Sequence, residues 1–205
     1  MSAQREFIPF SPPLIEHDDI EEVTECLRSG WITTGPRVEE FQKLVASAAG
    51  TAHAVATSSC TMAMQVALKV MGVGPGHEVL TSPFTFASTA HVISYAGAEP
   101  VFADVEEETF NLAPERVREK IVNDYKRQGE MLVNRSTGRT LKALLPVHYG
   151  GHCCDMDPLM ELAEEFGLLV LEDAAHALGA RYKGRPAGSL GHAACFSFYA
   201  TKNVA

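Results

Sequence analysis

The sequence lacks any apolar run of the ~20 residues that a membrane span needs, so no membrane partner is expected of its 205 residues. Basic residues are also few: 17 Lys and Arg against 26 Asp and Glu leave a formal net charge of -9, with no basic cluster. That balance excludes nucleic acid or an anionic membrane surface as the main partner. Cysteine is scarce and odd in number. Cys26, Cys60, Cys153, Cys154 and Cys195 contain no C-x-x-C pair, so neither a disulfide framework nor a metal site is expected. The adjacent Cys153 and Cys154 cannot easily share one tetrahedral ion and read as loop residues. The opening residues Met1 to Glu6 have no signal-peptide apolar region, and with reduced thiols the cytoplasm is the expected location.

What is present is 46% hydrophobic residues with moderate charge, the makeup of one globular domain over 1–205. Pro9, Pro12 and Pro13 keep an N-terminal segment, 1–17, extended until Asp18 and Asp19 open an amphipathic helix through Ile20, Val23 and Leu27. Trp31, in the loop before Pro36, reads as a core cap ahead of a ligand contact. A second helix carries Val38, Phe41, Leu44 and Val45. From there strands alternate with helices. Strands are expected over 53–57, 78–81, 100–105, 141–147, 168–171 and 195–199, with helices between them opened by Thr61, Ala87, Pro114 and the pair Asp157-Pro158. Residues 123–140 interrupt the pattern as a polar excursion, with a hairpin around Met131, Leu132 and Val133. Residues 168–171 are apolar on both faces, which belongs to the middle of a parallel sheet. An α/β fold with a mostly parallel sheet follows.

In such sheets ligands bind beyond the carboxyl ends of the strands. Ser58-Ser59-Cys60-Thr61 leads from a strand into a helix, where free N–H groups and the helix dipole favour a phosphate, although Ser59 alone is equally an ordinary helix cap. Phe86 follows a second strand end. Asp173, in Glu172-Asp173-Ala174-Ala175-His176, is a carboxylate at a third, either a helix cap or a partner for a ring nitrogen. Lys202 lies beyond the last strand, either a solvated turn residue or an amine for covalent chemistry with a carbonyl. His77 and His192, each after a glycine, read as structural.

Five stretches carry a resemblance from about Phe7 to the last residue: 30–36, GWITTGP; 59–61, SCT; 83–89, PFTFAST; 172–176, EDAAH; and 196–203, FSFYATKN. The last two are the most specific. Together they resemble the DegT/DnrJ/EryC1/StrS family of sugar aminotransferases, pyridoxal-phosphate enzymes of fold type I. The resemblance implies a three-layer αβα large domain, truncated just after the Schiff-base lysine and lacking the final strand and small C-terminal domain that the family has. It implies Lys202 as that lysine, Asp173 at the pyridine nitrogen, Phe86 against the ring, His176 near the phenolic oxygen, and Ser59, Cys60, Thr61 and Ser197 around the phosphate. It also implies a homodimer acting on a nucleotide-linked keto sugar, with glutamate as amino donor. The family usually has glycine where this chain has Cys60, a small residue expected to be tolerated. Two alternatives stand beside this: an inactive fragment serving as a binding or dimerisation module, and a sugar dehydratase, against which Lys202 argues because that branch replaces the lysine by histidine.

Overall fold

The computed structural model describes residues 7–8 and 12–204. Pro9 and the first six residues, part of the expected extended segment, lie outside them; residues 12–16 form no helix or strand. Helix α1 (His17–Ser29) begins where acidic side chains suit the helix dipole, and α2 (Pro36–Ala49) begins on a proline that needs no N–H partner there. Helix α3 (Cys60–Val70) is capped by the Ser59 hydroxyl, which accepts the Met62 N–H at 3.1 Å. Next come β1 (His77–Thr81), α4 (Ser88–Tyr95), β2 (Glu99–Phe102), α5 (Pro114–Asp124), β3 (Tyr125–Gln128), β4 (Met131–Asn134) and β5 (Thr140–Leu145). The described chain closes with α6 (Met156–Phe166), β6 (Leu169–Asp173), the hairpin β7 (Arg181–Tyr182) and β8 (Arg185–Pro186), and β9 (Ala193–Cys195).

Strands β2, β1, β5, β6 and β9 lie side by side in that order, all parallel. Strand period then decides the layers. Val79, Ala143, Leu145 and Leu171 face Met64, Leu68, Val92 and Ile93 of α3 and α4. Their neighbours Leu80, Leu144 and Val170 face Val117, Ile121, Leu159 and Leu162 of α5 and α6. Helices thus cover both faces of a parallel sheet, the three-layer αβα architecture that the resemblance implied.

Several expected boundaries need correction. Residues 53–57 form no strand: none among the described residues lies beside them, and the Ala56 N–H is met by Gln42 Oε1 at 2.9 Å instead. They wall a cavity of about 1190 Å³ whose opposite side is β9, a strand that among the described residues pairs only with β6. The strand expected over 195–199 is Ala193–Cys195, because β6 ends at Asp173, the residue paired with Cys195, and nothing continues the ladder beyond it. Strand β2 stops at Phe102, and α6 starts at Met156, so Asp157 and Pro158 lie inside its first turn. In the 123–140 excursion β3 and β4 pair antiparallel, with Gly129 and Glu130 as the turn and residues 131–134 as the second strand. Buried Glu78 holds that hairpin, accepting from Tyr125 Oη at 2.5 Å, Asn134 Nδ2 at 3.0 Å and Thr137 Oγ1 at 2.8 Å. Trp31 caps no core: it is 57% exposed, and its Nε1–H closes its own loop onto Thr34 O at 3.0 Å. His77 and His192 are structural, each accepting a backbone N–H at Nδ1, from Gly74 and Val170 respectively.

Candidate active site

The sheet delivers a carboxylate, a lysine and a hydroxyl chain to one end. Asp173 is the last residue of β6 and 5% exposed. Its backbone is fixed on both sides, with the N–H donating to Pro146 O at 2.9 Å and the carbonyl accepting from His148 N at 3.1 Å. Its Oδ2 accepts the Thr89 hydroxyl at 2.7 Å and its Oδ1 the Ala175 N–H at 3.2 Å. Neither donor is charged. Burial therefore pushes the Asp173 carboxyl above its ordinary value, against the pull of the Thr89 and Ala175 bonds. A carboxylate so placed favours a cationic N–H partner.

Beyond β9 the chain leaves the sheet and turns, with the Lys202 N–H donating to Tyr199 O at 2.8 Å. Asn203 Nδ2 ties the turn to Leu178 O at 3.2 Å. Lys202 Nζ then meets His176 Nε2 at 2.5 Å. Burial, and after it the Lys202 charge, lower the His176 pKa against the opposing pull of Asp173. The imidazole is therefore the acceptor of this contact and the ammonium its donor. Gly151 lets a neighbouring turn approach: its φ is +86°, and a Cβ there would lie 2.6 Å from the His176 carbonyl oxygen.

The start of α3 lies close by. Ser59 serves Met62 as a cap, so the hydroxyl is a capping group whatever else it does, and the first-turn N–H groups of Cys60 and Thr61 have no acceptor within the helix. Ser59, Cys60 and Ser197 line the large cavity, while Thr61 does not. Cys60 packs against the α3 side of the core. Burial raises its pKa first, then the Asp173 and Cys195 charges, while Lys202 opposes them. The thiol stays protonated between the carboxylate and the lysine. Phe86 is 80% exposed on the loop between β1 and α4, and its carbonyl accepts the Thr89 N–H at 3.0 Å. The cavity touches none of Lys202, Asp173, His176 or Phe86. It follows the open edge of β9 instead, so its size does not mark the chemistry.

Two groups here escaped the sequence reading. Thr85 and Thr89 fall within the quoted PFTFAST stretch, and their four-residue spacing at a helix start was the available signal. The other is a buried pair, His148 and Glu172. Glu172 Oε2 accepts from His148 Nε2 and Gly188 N, both at 2.9 Å, and Oε1 accepts from Leu190 N at 2.9 Å and Gly191 N at 2.7 Å. Burial pushes this carboxyl up, but the His148 bond and the Gly188 and Gly191 amides outweigh it, so its pKa lies below the ordinary value.

A doubly covered parallel sheet with a carboxylate, a lysine and an anion-ready helix start at its carboxyl end is the large domain of a fold type I pyridoxal-phosphate enzyme. The chain belongs to the DegT/DnrJ/EryC1/StrS aminotransferase family, whose model matches residues 13–205. It is 50% identical over 199 residues to the spore coat polysaccharide biosynthesis protein SpsC of Bacillus subtilis, covering 97% of this chain and 47% of SpsC. The proposed sugar aminotransferase Spr1654 of Streptococcus pneumoniae, in its pyridoxamine-phosphate form, superposes with a TM-score of 0.83 at 34% identity over 97% of this chain and 49% of that one. DesI, solved in the presence of its TDP-sugar product, gives 0.81 at 38% identity over 98% of this chain and 47% of its own. The chain spans about half the length of the relatives it matches. Family members depend on pyridoxal phosphate, and the residues at these strand ends fit that group: a buried carboxylate short of a cationic partner, a lysine, and free helix-start N–H groups.

Proposed function

We propose that this protein supplies the cofactor-binding part of a pyridoxal-phosphate-dependent aminotransferase that moves an amino group from glutamate to the keto group of a nucleotide-linked sugar. The observation that carries the reading is the meeting of Lys202 Nζ with neutral His176 at 2.5 Å beside buried Asp173. DesI, solved with its TDP-sugar product, and SpsC, of spore coat polysaccharide biosynthesis, support the substrate class. Free thiols at all five cysteines support a reducing, cytoplasmic setting.

In this reading Lys202 Nζ would hold the cofactor and would carry the proton that moves during transfer. Pyridoxal phosphate supplies, when bound, the electron sink that lets an amino acid's α-proton leave. Asp173 would face the pyridine nitrogen, His176 the phenolic oxygen and Phe86 the ring. Ser59, Cys60, Thr61 and Ser197 would hold the phosphate, chiefly through N–H groups at the α3 N-terminus. The overall exchange balances without an external oxidant, since the amino acid becomes a 2-oxo acid as the keto sugar becomes an amino sugar. With nitrogen-labelled glutamate and a nucleotide keto sugar, the label is expected in the sugar product by mass spectrometry, one equivalent for each 2-oxoglutarate formed. Label that stays on glutamate would sink the reading.

The working assembly in this reading is a homodimer. Ile20, Val23 and Leu27 form an exposed apolar stripe on α1, joined by exposed Trp31 and Ile32, and a second copy would cover it. Leu27→Glu is expected to shift the sedimenting species from dimer to monomer. A wild-type protein that sediments as a monomer at every concentration would end this part of the proposal.

A further inference from the structure

Thr89 is wholly buried, and the chemistry proposed above gives it no task. Its hydroxyl donates to Asp173 Oδ2 at 2.7 Å and lies 2.8 Å from the Thr85 hydroxyl. The single Thr89 proton is spent on Asp173 Oδ2, so the Thr85 proton goes to Thr89. The chain of donors therefore runs one way, from Thr85 through Thr89 to Asp173. The same residue grips the preceding loop, its N–H donating to Phe86 O at 3.0 Å. Thr89 thus contacts both the carboxylate at the end of β6 and the loop that carries the exposed Phe86 ring.

We infer that Thr89 is a positioning residue for the cofactor: its donated hydrogen bond holds the Asp173 carboxyl group in place for the ring nitrogen, and with Thr85 it locks the Phe86 loop to that group. The inference rests on the reading that pyridoxal phosphate binds here. One residue then couples the group at the ring's edge to the group at its face. Neutral hydroxyl donors suit the task. They stabilise the carboxylate without cancelling its charge, which stays available to a pyridinium.

The groups facing Asp173 leave few rivals for a pH effect. Cys60 from α3 and Cys195 from β9 remain thiols, since burial raises both and puts Cys195 at about 12. His148 gives its Nε2 proton to Glu172, because its Nδ1 already accepts the Cys154 N–H at 3.2 Å. Glu172 itself is held ionised by four donors. His176 is lowered by burial and by Lys202, so its own titration sits on the acid side and is shared by every variant below. Removing the Thr89 hydroxyl should therefore act through Asp173.

The test is an equilibrium titration of pyridoxal phosphate into the purified protein, followed by visible absorption across a pH series, with circular dichroism melts as the folding control. Thr89→Val is expected to weaken cofactor affinity about tenfold near neutral pH, the worth of one charge-assisted hydrogen bond. The acid limb of its affinity profile should move to higher pH, because Asp173 then takes up a proton sooner. Thr89→Ser, which keeps the hydroxyl, should restore the wild-type limb. Thr85→Val should weaken binding by a smaller factor and leave the limb in place. A Thr89→Val protein that melts earlier but titrates like the wild type, or a Thr89→Ser protein that behaves like Thr89→Val, overturns the inference. Wild-type protein that takes up no cofactor overturns the proposed function first, and so the two failures are told apart.

Discussion

Lys202→Ala is expected to abolish covalent retention of pyridoxal phosphate and to slow amino transfer by ~10⁴-fold or more, since one amine is proposed both as the covalent anchor and as the proton-transfer group. The fold should survive. Lys202 lies on a turn beyond the last strand, and its Nζ contacts the exposed His176 rather than the core. Loss of that contact removes no buried partner, so melting temperature should shift little. The experiment loads both proteins with cofactor, reduces them with borohydride and digests them. In the wild type the cofactor mass should appear on the peptide that contains Lys202, and in the variant on no peptide. Noncovalent binding should persist in the variant, because Asp173, Thr89 and the α3 N-terminus are untouched. Cofactor trapped on another lysine would move the catalytic role elsewhere and reduce Lys202 to a turn residue.

The α/β architecture was legible because each physical cue was local. Apolar residues on successive strand positions specified a sheet covered on both faces, and α5 announced itself by proline at the first turn. What the sequence hid was set by neighbours. Residues 53–57 carry strand-like composition, yet a strand needs a partner, and none lies beside them among the described residues. Phe196 to Tyr199 look like a continuing strand but outrun the end of β6. Site residues divide in the same way. Asp173 and Lys202 could be found as polar residues next to apolar runs. The link from Thr85 and Thr89 to Asp173 crosses 84 residues of sequence, and only the fold reveals it. The buried Glu78, which orders the polar excursion, was equally invisible because its three partners come from the excursion itself.

Glu172 should produce the largest stability effect of any single residue at this end of the sheet. Its side chain is fully buried and its two oxygens receive four donors. Alanine there would orphan three backbone N–H groups and the His148 N–H at once. Breaking such a buried network costs roughly 3–5 kcal/mol, a large share of a domain's total stability. Glutamine should do almost as badly despite its shape. An amide has one oxygen, and its NH2 would face either the Leu190 and Gly191 N–H groups or the Gly188 N–H and His148 Nε2–H. His148 cannot turn acceptor at Nε2 without losing the Cys154 N–H at Nδ1. The same carboxylate organises the route to the site, since residues 188–191 lead directly into β9 and from there to Lys202. Cofactor affinity should therefore fall together with stability in Glu172→Gln, unlike in Lys202→Ala. The pH dependence gives a second check. The folded pKa of Glu172 lies below its unfolded value, so its stabilisation is complete above the unfolded value and is lost as pH falls through the folded one. Urea unfolding of wild type and Glu172→Gln should differ most near neutral pH, and the gap should narrow as the solution is acidified through the carboxylate range. A gap that stays constant down to low pH would mean that the carboxylate's charge is not what holds the 188–191 loop, and would leave packing alone to explain its burial.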